Sequence, residues 1–195
     1  MSVRHALLAL LSAGPKYGLQ LGQEFEAGTG DLWPLNTGQV YTTLQRLERD
    51  GLVTAEDEDV SGPQNRFRIT DAGSIELHSW LHTPSDSSTP PRDELVIKVL
   101  VALRMPGVDT ADLLQIHRRQ AIEAMHDYTR LKEDADAHDV GLLLIADAEI
   151  FRLDAVVRWL DAADARIKRM PAPLALPEVP ITTRTRARRR VGVRR

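Results

Sequence analysis

The chain has 195 residues, 43% hydrophobic and 27% charged, an ordinary globular balance and enough length to bury a core in one domain or two small ones. It lacks an apolar run long enough for a membrane span and a secretory-type amino terminus, so a cytoplasmic protein is expected. The absence of cysteine excludes disulfides, thiolate nucleophiles and cysteine–zinc sites, and the net charge of −3 argues against a chain that coats nucleic acid indiscriminately.

The first element, "SVRHALLALL", sets Val3, Ala6, Leu7, Leu10 and Leu11 on one side and is stopped by "SAGP". "YGLQLGQEFEA" predicts a second short helix ending near Gly28. "NTGQVYTTLQRLERDGLV" predicts a third: Asn36 can cap it, Val40, Leu44 and Leu47 form its apolar stripe, and Gly51 supplies the positive φ past its end. "LVTAED" and "RFRIT" read as two strands of a hairpin, because Gly62-Pro63 between them breaks any helix. Thr70 or Asp71 can cap a fourth helix, "AGSIELHSWL".

The Pro/Ser-rich stretch "HTPSDSSTPPR" marks a hinge at 83–92, between a domain at 1–82 and a helical one at 93–170. "DELVIKVLVALRM" is apolar on nearly all sides and reads as a buried helix. Asp109 or Thr110 can cap a long helix running to about His138, and Gly141 marks the next turn. The last helix carries Leu142, Ala146, Glu149, Leu153, Val156, Leu160, Ala163, Ile167 and Met170 at alternating four- and three-residue steps, a coiled-coil seam. Such a seam packs either on a helix of the same chain or on a partner subunit. A Pro-spaced and then Arg-rich tail at 171–195 is expected to be disordered; the seven arginines of residues 184–195 leave eighteen basic against twenty-eight acidic residues in the rest of the chain. The tail can track phosphates or lie on the acidic body.

Three helices followed by a two-stranded wing describe a winged helix-turn-helix, so the fold class expected is mainly α: this domain plus a carboxy-terminal all-helical dimerisation domain. In that arrangement the third helix enters the major groove of double-stranded DNA. Its outer face suits insertion there, since Gly38 permits close backbone approach, and Asn36, Thr37, Gln39, Thr42, Thr43 and Gln45 offer neutral donors and acceptors. Arg46 and Arg49 can reach phosphates or a guanine. Gln64, Asn65, Arg66 and Arg68 cluster at the wing, with Arg66 expected near a phosphate. The run Glu56, Asp57, Glu58 and Asp59 reads as a solvated face or a partner for those arginines rather than a metal site.

"LALLSAGPKYGLQL", "GQVYTTLQRLERDGLV" and "RFRITDAG" resemble the signature stretches of the PadR-like transcriptional regulators across residues 3–82. The resemblance implies a homodimeric repressor that leaves a palindromic operator when a small-molecule effector binds. It also puts Tyr41 on the family's characteristic tyrosine, contacting a phosphate or bracing the helix; the plain alternative is a packed aromatic. Leu19 and Gln20 stand where the family often has an aromatic and an acid, and Thr42 where it often has proline, so the operator sequence does not transfer.

Leu95, Val99, Leu103, Leu142, Leu153, Val156, Leu160 and Ile167 are the expected dimerisation residues. Trp33, Trp80, Tyr128 and Trp159 are candidates for lining an effector pocket between the two domains, with core packing as the plain alternative. His78 and His82 lie four apart but have no third ligand at recognisable spacing, so no metal or other cofactor is expected. The sequence contains no phosphate-cradling glycine loop, nucleophile elbow or paired catalytic carboxylates, which speaks against an enzyme. A winged-helix adaptor that binds protein instead of DNA is the other reading, but it would need apolar residues on the outer face of the third helix.

Overall fold

The periodic leucines of the amino-terminal half close a single core. In the computed structural model, which describes residues 3–56, 65–85 and 92–169, this half runs α1 (Val3–Ser12), β1 (Lys16–Tyr17), α2 (Gly18–Gly28), α3 (Thr37–Arg49), β2 (Val53–Glu56), β3 (Arg66–Ile69) and α4 (Asp71–His82). Leu7, Leu8 and Leu11 of α1, Leu21 of α2 and Val40, Leu44 and Leu47 of α3 meet Val53, Phe67 and Leu77 in that core. The expected Gly62-Pro63 turn, Gln64, Asp57 to Asp59, hinge residues 86–91, Met170 and the tail lie outside the described residues.

The sheet has three strands where two were expected. Its order is β1-β3-β2, antiparallel throughout, with Lys16 opposite Phe67 and Val53 opposite Ile69. A two-residue strand has no periodicity to read; β1 exists because the far edge of β3 offers it hydrogen-bonding partners. Lys16 also donates to the Glu24 carboxylate at 2.8 Å, and this hydrogen bond holds the Glu24 carboxyl below the usual carboxylate range.

Two glycines explain how α3 turns into the wing and the wing into α4. Gly51 adopts φ +71°, and the Leu52 N–H returns to the Leu47 carbonyl at 2.9 Å, a Schellman-type stop. Thr70 is the residue that caps α4: its hydroxyl oxygen accepts from the Gly73 N–H and donates to the Gly51 carbonyl at 2.8 Å. A Cβ on Gly73 would lie 2.1 Å from the Leu52 carbonyl oxygen, so only glycine lets α4 sit on that turn.

The carboxy-terminal half is α5 (Glu94–Ala102), α6 (Thr110–Asp134) and α7 (Val140–Lys168). Asp93, Asp109 and Asp139 accept backbone N–H groups at the three helix starts. The α6–α7 hairpin is the most extensive packing in the fold, and ion pairs Arg118–Asp161 and Lys132–Asp147 tie its two ends.

Three sequence expectations need correction here. α6 stops at Asp134 rather than near His138, because Asp139 starts α7 directly. Gly141 lies inside the first turn of α7 rather than at a turn between helices; a Cβ there would be 2.1 Å from the Gly28 carbonyl oxygen. α5 is not buried: it covers Val99 and Ala102 but leaves Val96, Ile97, Leu100 and Val101 exposed. The α7 seam faces its own chain, with Leu142, Ala146, Leu153 and Leu160 buried. Val156, Ala163 and Ile167 pack with Leu95, Val99, Leu103 and Leu114 in the small second core. Of the eight residues expected at a dimer interface, Val99, Leu142, Leu153 and Leu160 are buried within this chain, and Leu95, Leu103, Val156 and Ile167 are half-buried. None of the described helices is long and apolar enough to cross a membrane.

Candidate nucleic-acid interface

α3 is amphipathic in the strict sense. Val40, Leu44 and Leu47 are at most 1% exposed, whereas Asn36, Thr37, Gly38, Gln39, Thr42, Gln45, Arg46 and Arg49 are exposed on the other side. Asn36 caps the helix by accepting from the Gly38 N–H at 2.8 Å. A Cβ on Gly38 would crowd that Asn36 oxygen at 3.2 Å, so this glycine protects the cap as well as thinning the surface. The first-turn N–H groups left over give the exposed end a partial positive charge suited to a phosphate.

Not every polar group on this face is equally available. The Thr42 and half-buried Thr43 hydroxyls donate to the Gly38 and Gln39 carbonyls at 2.8 and 2.7 Å, so both protons turn back into the helix. Arg49 donates to Asp50 at 3.2 Å, and Asp50 also pairs with Arg4 of α1 at 3.3 Å. That tie fixes the carboxyl end of α3 to α1 and was not visible from helical periodicity. Arg46 is exposed among the neutral groups.

Tyr41 is half-buried and packs over the start of α2: a Cβ on Gly18 would lie 2.8 Å from its ring. Sequence reading passed over Gly18; its position directly after Tyr17 at the helix start was the available signal. In the wing, Arg68 is exposed and paired with Glu56, and Asn65 is exposed. Arg66, expected near a phosphate, is engaged within the chain. It is half-buried, donates to the Pro15 carbonyl at 3.2 Å and lies 5.5 Å over the Tyr17 ring, because β1 pairs alongside it.

The four candidate effector-pocket aromatics are not gathered together. Trp33 lines a cavity of about 290 Å³ within the winged domain. Trp80 stacks on His5, with ring centroids 4.5 Å apart, while Trp159 packs in the second core and Tyr128 is half-buried on α6. His82 Nδ1 lies 2.7 Å from the His78 carbonyl oxygen, a local helix-end contact. Among the described residues no group of three or more His, Asp or Glu side chains converges on a metal-sized site.

Residues 7–79 match the family described as "Transcriptional regulator PadR-like family", and residues 91–168 match "Virulence activator alpha C-term". The negative transcriptional regulator PadR of Bacillus subtilis is 26% identical over 85% of this chain and 97% of its own length. Bacillus subtilis PadR solved in complex with operator DNA superposes with a TM-score of 0.60 at 23% identity, covering 86% of this chain and 99% of that one. The same protein solved with p-coumaric acid gives 0.63 at 22% identity, over 86% and 99%. At these identities the solved structures establish the shared fold.

Proposed function

Because the chain belongs to the transcriptional regulator PadR-like family, whose domain spans residues 7–79, we propose that this DNA-binding regulator works as a homodimeric repressor. It reads a palindromic operator through α3 and is released by a small-molecule effector. The observation that carries the reading is the two-sidedness of α3: a sealed leucine stripe against the core and an outer face of Asn36, Gln39, Thr42, Gln45, Arg46 and Arg49 turned to solvent. That face has no large apolar side chain of the sort an adaptor helix would use.

In this reading the amino end of α3 enters the major groove, and Gln39, Thr42 and Gln45 face base edges. Arg46 and Arg49 neutralise phosphates, Tyr41 braces α3 on α2, and Arg68 and Asn65 of the wing lie beside the flanking backbone. Arg66 holds the wing to β1. Two-fold pairing is supported by what a single chain leaves uncovered. Besides Val96, Ile97, Leu100 and Val101 of α5, α7 carries a second apolar row, with Val140, Leu144 and Phe151 exposed at 58, 64 and 71%. These side chains, rather than the inward seam, would meet the partner subunit. Bacillus subtilis PadR has been solved with both operator DNA and p-coumaric acid, which supports an effector-responsive reading for this relative.

The test is a gel shift with DNA from upstream of the protein's own reading frame. The parent chain should retard it, and Arg46→Ala with Arg49→Ala should weaken binding and lower the slope of log affinity against log salt by about two. An unchanged double variant would mean that another surface meets the DNA.

A further inference from the structure

The loop between α2 and α3 touches three things at once. At its start, Gly30 adopts φ +57° against α7, so close that a Cβ would meet Leu142 at 2.6 Å. In its middle, Leu32, Trp33 and Leu35 form one wall of the 290 Å³ cavity, with Val3 of α1 and Phe25 of α2 opposite. At its end is Asn36, the cap of α3, and Gln39 of α3 also lines the cavity. The loop is anchored by the Leu35 N–H, which donates to the Glu26 carboxylate at 2.9 Å.

From this arrangement we infer that the Trp33 cavity is a receptor site for a small uncharged aromatic molecule whose binding is felt by the amino end of α3. Its volume sits at the lower end of small-molecule pockets, roughly 300 Å³, and fits a substituted single ring. The lining is apolar, with two aromatic rings to stack on and one amide, Gln39, to hydrogen-bond a hydroxyl or carbonyl. No residue lining it is charged, and the acids beside it in the chain, Glu26 and Asp31, disfavour an anion. A carboxylate would find no cationic side chain in the lining, only the partial charge of the α3 amino end. The site therefore selects neutral rings against aromatic acids. A guest that hydrogen-bonds Gln39 takes that amide from the outer face of α3, and any shift of the loop moves the Asn36 cap. The regulatory consequence rests on α3 being the DNA-reading helix; the binding itself does not.

The experiment uses the full chain labelled with 5-fluorotryptophan, whose three tryptophans give three ¹⁹F resonances. Trp33→Phe assigns the relevant one. Titration with p-cresol should move the Trp33 resonance saturably while Trp80 and Trp159 stay still, and p-coumarate at equal concentration should not move it. The same p-cresol concentration should weaken binding to the upstream DNA, read by fluorescence anisotropy, by about tenfold; Trp33→Ala should abolish this response. A Trp33 resonance unmoved up to the solubility of p-cresol overturns the site, and an equal response to p-coumarate overturns its selectivity. A saturable shift with unchanged DNA affinity overturns the coupling. Failure of the ligand-free chain to bind DNA would instead sink the regulator reading, leaving the resonance shifts to decide the cavity.

Discussion

The winged half and the helical half satisfy their apolar residues in different ways. In the first, Leu7, Leu8, Leu21, Leu44 and Leu47 are wholly buried, and the large apolar groups turned outward are scattered: Leu19 of α2, Trp33 of the loop before α3, and Ile75, Trp80 and Leu81 of α4. In the second, the clustered core is Val99, Leu114 and Leu160 with half-buried neighbours, while α5 and α7 expose residues as large as Leu100, Leu144 and Phe151. A three-helix unit with two open apolar rows is poorly closed on its own. The difference teaches where each half closes: the amino-terminal half around a single sealed core, the carboxy-terminal half around a smaller core that leaves apolar rows open.

The largest effect expected from breaking this contrast is in the self-contained core. Leu44→Ala should lower the stability of the winged half by about 3 kcal/mol, seen as a fall in the midpoint of denaturant unfolding. Next comes the exposed row of α7. Leu144→Asp with Phe151→Asp should weaken self-association by at least about 30-fold in sedimentation equilibrium while leaving helical circular dichroism intact. If these exposed residues are not the partner surface, the double variant will sediment as the parent does.

Gly141→Ala probes the joint between the halves, where the added Cβ meets the Gly28 carbonyl. It should destabilise the chain by about 1–3 kcal/mol and raise hydrogen exchange at the α2 end and the α7 start together. The smallest effect concerns Glu24. Its carboxyl is depressed in the folded chain by the Lys16 hydrogen bond. Its contribution is therefore present above the ordinary carboxylate pKa and lost as pH falls through the depressed folded value. For this half-buried, partly screened pair the contribution is at most about 0.5 kcal/mol. A comparison of Lys16→Met with the parent in acid titrations of unfolding should show that small difference vanish at low pH.

What the sequence made legible is what local chemistry decides. The Asn36 cap, the Val40–Leu44–Leu47 stripe, the Gly51 stop and the capping role open to Thr70 all follow from spacing within a few residues, and each recurs in the fold. What escaped depends on elements distant in the chain. β1 needs β3, the inward setting of Arg66 needs β1, and Gly141 needs Gly28. The α7 periodicity announced a seam but could not say which of two rows would face the chain's own α6, and the row it favoured is the interior one. The Trp33 cavity was foreshadowed only as a tryptophan of interest; its walls come from α1, α2 and the loop before α3.

The inward hydrogen bonds of the α3 threonines carry a consequence for the alphabet such a helix can read. With its proton committed to Gly38, Thr42 turns outward a lone-pair oxygen and a methyl group. In a major groove that combination favours the exocyclic amines of adenine and cytosine and the methyl of thymine over the acceptor-rich edge of guanine. Replacing a facing thymine by uracil, which deletes one methyl and no hydrogen bond, would then cost binding at that step alone, and cytosine methylation nearby would be sensed rather than ignored.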